Sequence, residues 1–140
     1  MTTRAANTSH VATTIATLEA TEEVTRLRFP QGQILLYQTH LPPGAFVFLR
    51  GSLRLEDTHS RGAHKATLNV VVRPDRPLVV PPADELDLPA GVTVYLHTDS
   101  EVLFIPRTLL HAQPEIAQLL DDAGLPTCSL QSVSHTWESA

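Results

Sequence analysis

The chain has 140 residues, 42% of them apolar, which suits one compact domain with a core of its own. Ten basic residues against fifteen acidic ones give a net charge of −5, which argues against the basic face that sequence-independent nucleic-acid binding needs. A single cysteine excludes an internal disulfide and any multi-cysteine zinc site.

Residues 1–10 are polar and carry no apolar core of a signal peptide. No apolar run approaches the roughly 18 residues of a membrane span. The expected setting is therefore the reducing cytoplasm, with no membrane partner. Eleven prolines and six glycines cut the chain into short pieces, so long helices fit only in the gaps and most of the middle reads as strands and turns. The expected organisation is a mobile tail over 1–10, one domain over 11–124 and an unpatterned tail over 125–140.

In chain order, Val11, Ile15 and Leu18 recur at helical spacing and predict a short helix over 11–20, despite three threonines that form helix poorly. Period-two alternation begins at Val24 and ends at the turn of Pro30, Gln31 and Gly32. A second short strand covers 34–37, followed by a turn over 40–44. The clearest strand is 45–56, with Val47, Leu49, Gly51, Leu53 and Leu55 expected on one face and Arg50, Ser52, Arg54 and Glu56 on the other. A glycine in mid-strand, Gly51, suggests a bulge or a close backbone approach. Phe46 and Phe48 interrupt the polar face and are expected to pack under a helix or against a neighbouring chain. A polar turn over 57–64 leads to a strand over 65–72, making a β-hairpin. The proline-rich stretch 73–87 reads as loop with one short strand near 78–80. Strands at 92–97 and 101–105 follow, the second nearly all apolar. Leu109, Leu110, Ile116, Leu119 and Leu120 then show near-helical spacing, with Pro114 placed to open the main helix and Gly124 to end it.

Three segments in this order carry a resemblance: FPQGQIL at 29–35, LPPGAFVFLRGSLRL at 41–55 and TDSEVLFIPR at 98–107. Together they resemble the cyclic-nucleotide-binding domain of catabolite-activator (Crp/Fnr-like) regulators, over roughly 24–120. The resemblance implies a mainly β fold, a double-stranded β-helix or jelly roll with short flanking α-helices.

In that family an arginine, then a small hydroxyl residue and an alanine, hold the cyclic phosphate. A buried phosphate left unpaired is very costly, so the arginine is the essential counter-charge. The corresponding stretch here is PPADELDLPAG at 81–91. Ala90 stands for the alanine, but Leu88 aligns with the arginine and Pro89 with the hydroxyl residue. Asp84, Glu85 and Asp87 add negative charge where an anion belongs, and one like charge about 4 Å away costs roughly 4 kcal/mol at an effective dielectric of about 20. Cyclic AMP or GMP is not expected to bind in the family manner. A different small ligand would need a pocket lined by Glu85, Ala90, Gly91 and Thr93, with Arg73 or Arg76 as anion partner. The family's helix-turn-helix is also missing from the sequence, so no DNA binding is expected.

The remaining chemistry-bearing residues have plain readings beside functional ones. His59 and His64 flank the hairpin turn, where a metal pair competes with two surface histidines. His97 and His111 are expected near the junction of the last strand and helix. Cys128, with His135 close in sequence, reads as a structural thiol rather than a nucleophile. The acidic group Asp84, Glu85 and Asp87 lacks the alternation and glycine of a calcium loop. No cofactor is implied.

Three functions remain open. The first is a non-enzymatic regulatory or interaction module, acting on a protein partner or a second copy through Phe46, Phe48, Leu109, Leu110 and Leu120. The second is a sensor of another small ligand. The third is a cupin-like metalloenzyme, which lacks the expected ligand pattern.

Overall fold

The computed structural model describes residues 3–58 and 67–132, with side chains from His10 onward. Its elements are α1 (Thr3–Ala20), β1 (Thr25–Phe29), β2 (Ile34–Leu36), β3 (Gly44–Glu56), β4 (Thr67–Val72), β5 (Leu78–Val80), a 3-10 turn (Ala83–Glu85), β6 (Thr93–Leu96), β7 (Ser100–Pro106), α2 (Arg107–Ala112) and α3 (Pro114–Ala123).

The 13-residue strand β3 belongs to two sheets. Its first half pairs with β7 and β5, and β1 extends that sheet beyond β7. Its second half pairs with β4 and β6, and β2 extends that sheet beyond β6. All these pairings are antiparallel. The two sheets close on each other and bury Phe46, Phe48, Leu53, Leu55, Val94 and Val102 between them. The outer face of the first sheet carries a second core. There Ala45, Val47, Leu103 and Ile105 meet Leu18 of α1, Leu109 and Leu110 of α2, and Ile116 and Leu120 of α3.

The bend in β3 lies at Gly51, where the register with β7 shifts between Phe48 and Arg50. Gly51 has φ +119°, and a Cβ there would stand 2.1 Å from Ser100 Oγ and 2.8 Å from Ser100 Cα. The predicted bulge and the predicted close approach are both present. The bulge also changes the alternation. Phe46 and Phe48 point into the roll before it, and Leu53 and Leu55 after it. The single apolar face expected from Val47 to Leu55 is therefore corrected: Val47 packs outward under the helices.

The same packing corrects the expected interaction surface. Phe46, Phe48, Leu109, Leu110 and Leu120 are all buried within this chain, Phe48 completely. Both faces of the first half of β3 are covered, so phenylalanines there are core residues.

Helix α1 begins at Thr3, so the described part of the expected mobile tail is helical. Ala5 and Ala6 are strong helix formers, and each added residue extends a nucleated helix by one bond. The threonines are accommodated by back-bonding, with Thr17 Oγ1 donating to Thr13 O at 2.9 Å and Thr21 Oγ1 to Thr17 O at 2.9 Å. The last helical stretch is two helices, broken at Gln113 (φ −130°, ψ 80°) because the ring of Pro114 disfavours helical backbone before it. Pro114 opens α3, and Gly124, at φ +68°, ends it, both as expected.

Residues 125–132 are built into the fold rather than lying as an unpatterned tail. Leu125, Cys128 and Leu130 are buried, the last two inside the roll. Thr127 forms a parallel bridge with Val79 on β5. Among the described residues, no helix is long and apolar enough to cross a membrane.

Candidate functional site

The mouth of the roll is formed by β5, the loop from the 3-10 turn to β6, and the 126–131 segment. The loop is fixed at several points. Glu85 N–H donates to Pro82 O at 2.9 Å, and the Leu86 side chain is buried in the helical-side core. Ala90 exchanges two backbone bonds with the loop before β3: its N–H donates to His40 O at 2.9 Å, and Thr39 N–H donates to its carbonyl at 2.7 Å. Thr39 adopts a left-handed φ of 77° to do so.

The 126–131 segment enters through the single parallel bridge of Thr127 to Val79. Val79 N–H donates to Pro126 O at 3.0 Å, and Cys128 N–H donates to Val79 O at 2.9 Å. Leu130 is then held at both backbone groups. Its N–H donates to Glu85 Oε1 at 3.0 Å, and its carbonyl accepts from Gly91 N–H at 2.7 Å. Gln131 Nε2 donates to Pro89 O at 3.2 Å. A Cβ on Gly91 would lie 2.1 Å from Gln131 O, so glycine is needed there for the segment to approach.

The structure therefore brings Glu85, Ala90 and Gly91 together, around a stretch of the chain itself. Thr93 is buried on β6, and its Oγ1 accepts from Gln38 N–H at 2.9 Å. Arg73 and Arg76 are exposed and bridge each other in the turn between β4 and β5. The acidic trio diverges. Asp84 is exposed, Glu85 faces Leu130, and Asp87 lies 3.4 Å from Arg107 and 3.6 Å from His111. Leu88, at the position aligned with the family arginine, is 44% exposed.

Cys128 is fully buried, and burial, with the nearby Glu85 charge, pushes its thiol up to about 12. It stays protonated at neutral pH and fills core volume. His97 is exposed after β6, and His111 lies on α2 beside Asp87. His59, His64 and His135 fall outside the described residues.

Sequence reasoning missed a second charge centre. Glu101 on β7 lies between Arg28 on β1 and Arg50 on β3, its register partners. Its carboxylate meets Arg26 Nε at 2.8 Å, Arg28 Nε at 3.5 Å and Arg50 Nε at 3.6 Å, while Arg26 also pairs with Glu19 of α1. The Arg26 hydrogen bond holds the Glu101 carboxyl below the usual range, against the opposing effect of burial. Beside it lies a cleft of about 360 Å³ lined by Arg28, Phe29, Arg50 and Asp99. The signal in the sequence was the alternation of Arg26 and Arg28 around Leu27. The missed part of the roll mouth also had a signal, the alternation of Cys128 and Leu130 around Ser129.

Two sheets sharing one long strand, with a helical layer on one outer face, define a mainly β domain of the cyclic-nucleotide-binding-like fold. No protein-family model matches the chain, and no curated protein matches it. Solved structures do. The catabolite activator protein of Thermus thermophilus superposes with a TM-score of 0.55 at 22% identity, over 81% of this chain and 51% of that one. The N-terminal domain of a transcriptional regulator from Streptomyces coelicolor gives 0.57 at 21% identity, over 80% of this chain and 78% of that one. A cAMP-binding acyltransferase from Mycobacterium smegmatis gives 0.58 at 15% identity, over 86% of this chain and 39% of that one. At such identities the likeness is one of fold. The chain spans about half the length of the Thermus protein.

Proposed function

We propose that this chain is a non-enzymatic regulatory module of cyclic-nucleotide-binding-like fold, working in the cytoplasm, whose roll does not take cyclic AMP or GMP in the manner of the sensors it resembles. One observation carries this reading: Cys128 and Leu130 of the 126–131 segment pack inside the roll, with Glu85 spent on the Leu130 N–H. A cyclic phosphate placed there would meet an anion and lose backbone donors already committed to the chain. Leu88 and Pro89 offer neither a cation nor a hydroxyl in compensation. A regulatory role is supported by neighbours in fold that include a catabolite activator protein and the N-terminal domain of a transcriptional regulator. The buried, protonated state of Cys128 speaks against that thiol as a nucleophile.

Thermal melts and calorimetric titration with cyclic AMP and cyclic GMP test it. A ligand at 100 times its Kd would add about 2.7 kcal/mol of stability, an easily measured rise in Tm. We expect no shift at millimolar nucleotide. Saturable micromolar binding that is lost in Ala90→Trp would overturn the reading.

A further inference from the structure

The geometry points to a carboxylate-binding site outside the roll, in the cleft between Arg28 and Arg50, which takes a small monoanionic acid with a flat apolar body. The site does not depend on whether the roll admits a nucleotide.

It begins with the bulge in β3. Phe48 pairs with Val102, so an unbroken register would set Leu49 opposite Glu101. The shift between Phe48 and Arg50 sets Arg50 there instead, and Arg28 is the partner of Glu101 on β1. Bulges next to functional sites re-aim a side chain in this way. Glu101 is buried and meets each of the two arginines first at Nε, at 3.5 Å and 3.6 Å. That contact anchors the base of each guanidinium. Among the described residues neither arginine has a second acceptor, and both are mainly exposed.

The charges do not cancel. Arg26, Arg28 and Arg50 share the carboxylates of Glu19 and Glu101, and three guanidiniums against two carboxylates leave one positive charge. Both of the shortest approaches belong to Arg26, so the surplus falls to Arg28 and Arg50. Their planar forks match the two oxygens of a carboxylate. Asp99, also on the cleft wall, has one oxygen held by Gln31 N–H at 2.8 Å, and a second negative charge on the ligand would meet it. A dianion such as a phosphate monoester is disfavoured for that reason. Phe29 and Pro30 supply an apolar wall for the body of the acid. The cleft volume, about 360 Å³, lies at the small end of the roughly 300–1,000 Å³ typical of ligand clefts.

Proton–nitrogen NMR of the full chain, including the arginine Nε–H signals, tests this with benzoate as the probe. We expect saturable shifts at Arg28, Phe29, Arg50 and Ser100, with a millimolar or tighter Kd. Benzamide, the neutral isostere, should not bind. Phenylphosphonate, at mildly alkaline pH where it is a dianion, should bind more weakly. Arg28→Gln and Arg50→Gln should each weaken benzoate at least about tenfold, the weight of a charged hydrogen bond. Arg28→Lys keeps the charge, loses the fork and should weaken it too. The rest of the spectrum reports whether each variant keeps its fold. Shifts that stay linear up to the solubility limit of benzoate would overturn the site. Equal binding of benzamide would overturn it in favour of an apolar patch. Tighter binding of phenylphosphonate, or full affinity in Arg28→Lys, would overturn it in favour of diffuse positive charge. An acidic peptide that binds these residues more tightly than benzoate would overturn it in favour of a protein partner.

Discussion

Glu101 shows how one carboxylate can join three strands. Its register partners Arg28 and Arg50 lie on either side, and Arg26 supplies the shortest bond at 2.8 Å. Arg28 and Arg50 are 81% and 67% exposed, so their share is weakened by solvent and salt. The hydrogen bond from Arg26 depresses the carboxyl pKa in the folded state relative to the ordinary value of 4.5. The unfolded chain therefore takes up this proton at higher pH than the folded one. The resulting stability is present above the ordinary carboxyl range and is lost as pH falls through the folded value. Glu101→Gln should accordingly flatten the loss of stability on acidification, measured as urea midpoints from neutral pH downward. An acid limb as steep in the variant as in the native chain would assign that limb to other carboxylates.

At the scale of elements, β3 depends on one residue. Gly51 has φ +119° and touches Ser100, so Gly51→Ala combines an unfavourable backbone with a steric clash. We expect it to cost about 2–3 kcal/mol, the order of strain at such positions. Ser100→Gly should rescue only part of this, since Ser100 Cα itself lies 2.8 Å from the added carbon. Urea midpoints at constant m-value would check both, and complete rescue would place the strain in the side chain alone. The strands were legible because their alternation is strong and their turns carry Pro and Gly. The faces of β3 were not, because a bulge adds one residue and reverses the parity of everything beyond it. The roll mouth was half legible. Glu85, Ala90 and Gly91 lie within a recognisable loop, whereas the 126–131 segment is too short for period two to distinguish it from a tail. Its partner, the Val79 edge, is some fifty residues away in sequence, by the numbering of the Val79–Thr127 bridge. Only tertiary packing brings the two together.

The whole molecule is organised around a sheet with cores on both faces. Strands β1, β7, β3 and β5 form the wall between the roll interior and the helical layer, and the wall's residues alternate between the two. Neither core can be exposed without removing support from a strand that the other needs. The two cores should therefore melt together. Leu53→Ala opens a cavity inside the roll, and Leu103→Ala opens one under the helices; both side chains are essentially inaccessible. Each should lower stability by about 2–5 kcal/mol, as buried leucine truncations do. Each should also leave a single denaturant transition with an unchanged m-value, seen identically by far-ultraviolet dichroism and by the exposure of the buried Cys128 thiol. If Leu103→Ala instead gave two transitions, the helical layer would be a separate unit resting on an independently stable roll. In that case the wall would be a boundary rather than a shared foundation. A single transition in both variants would mean that the wall and both cores unfold as one unit, since neither face of the wall stands without the other.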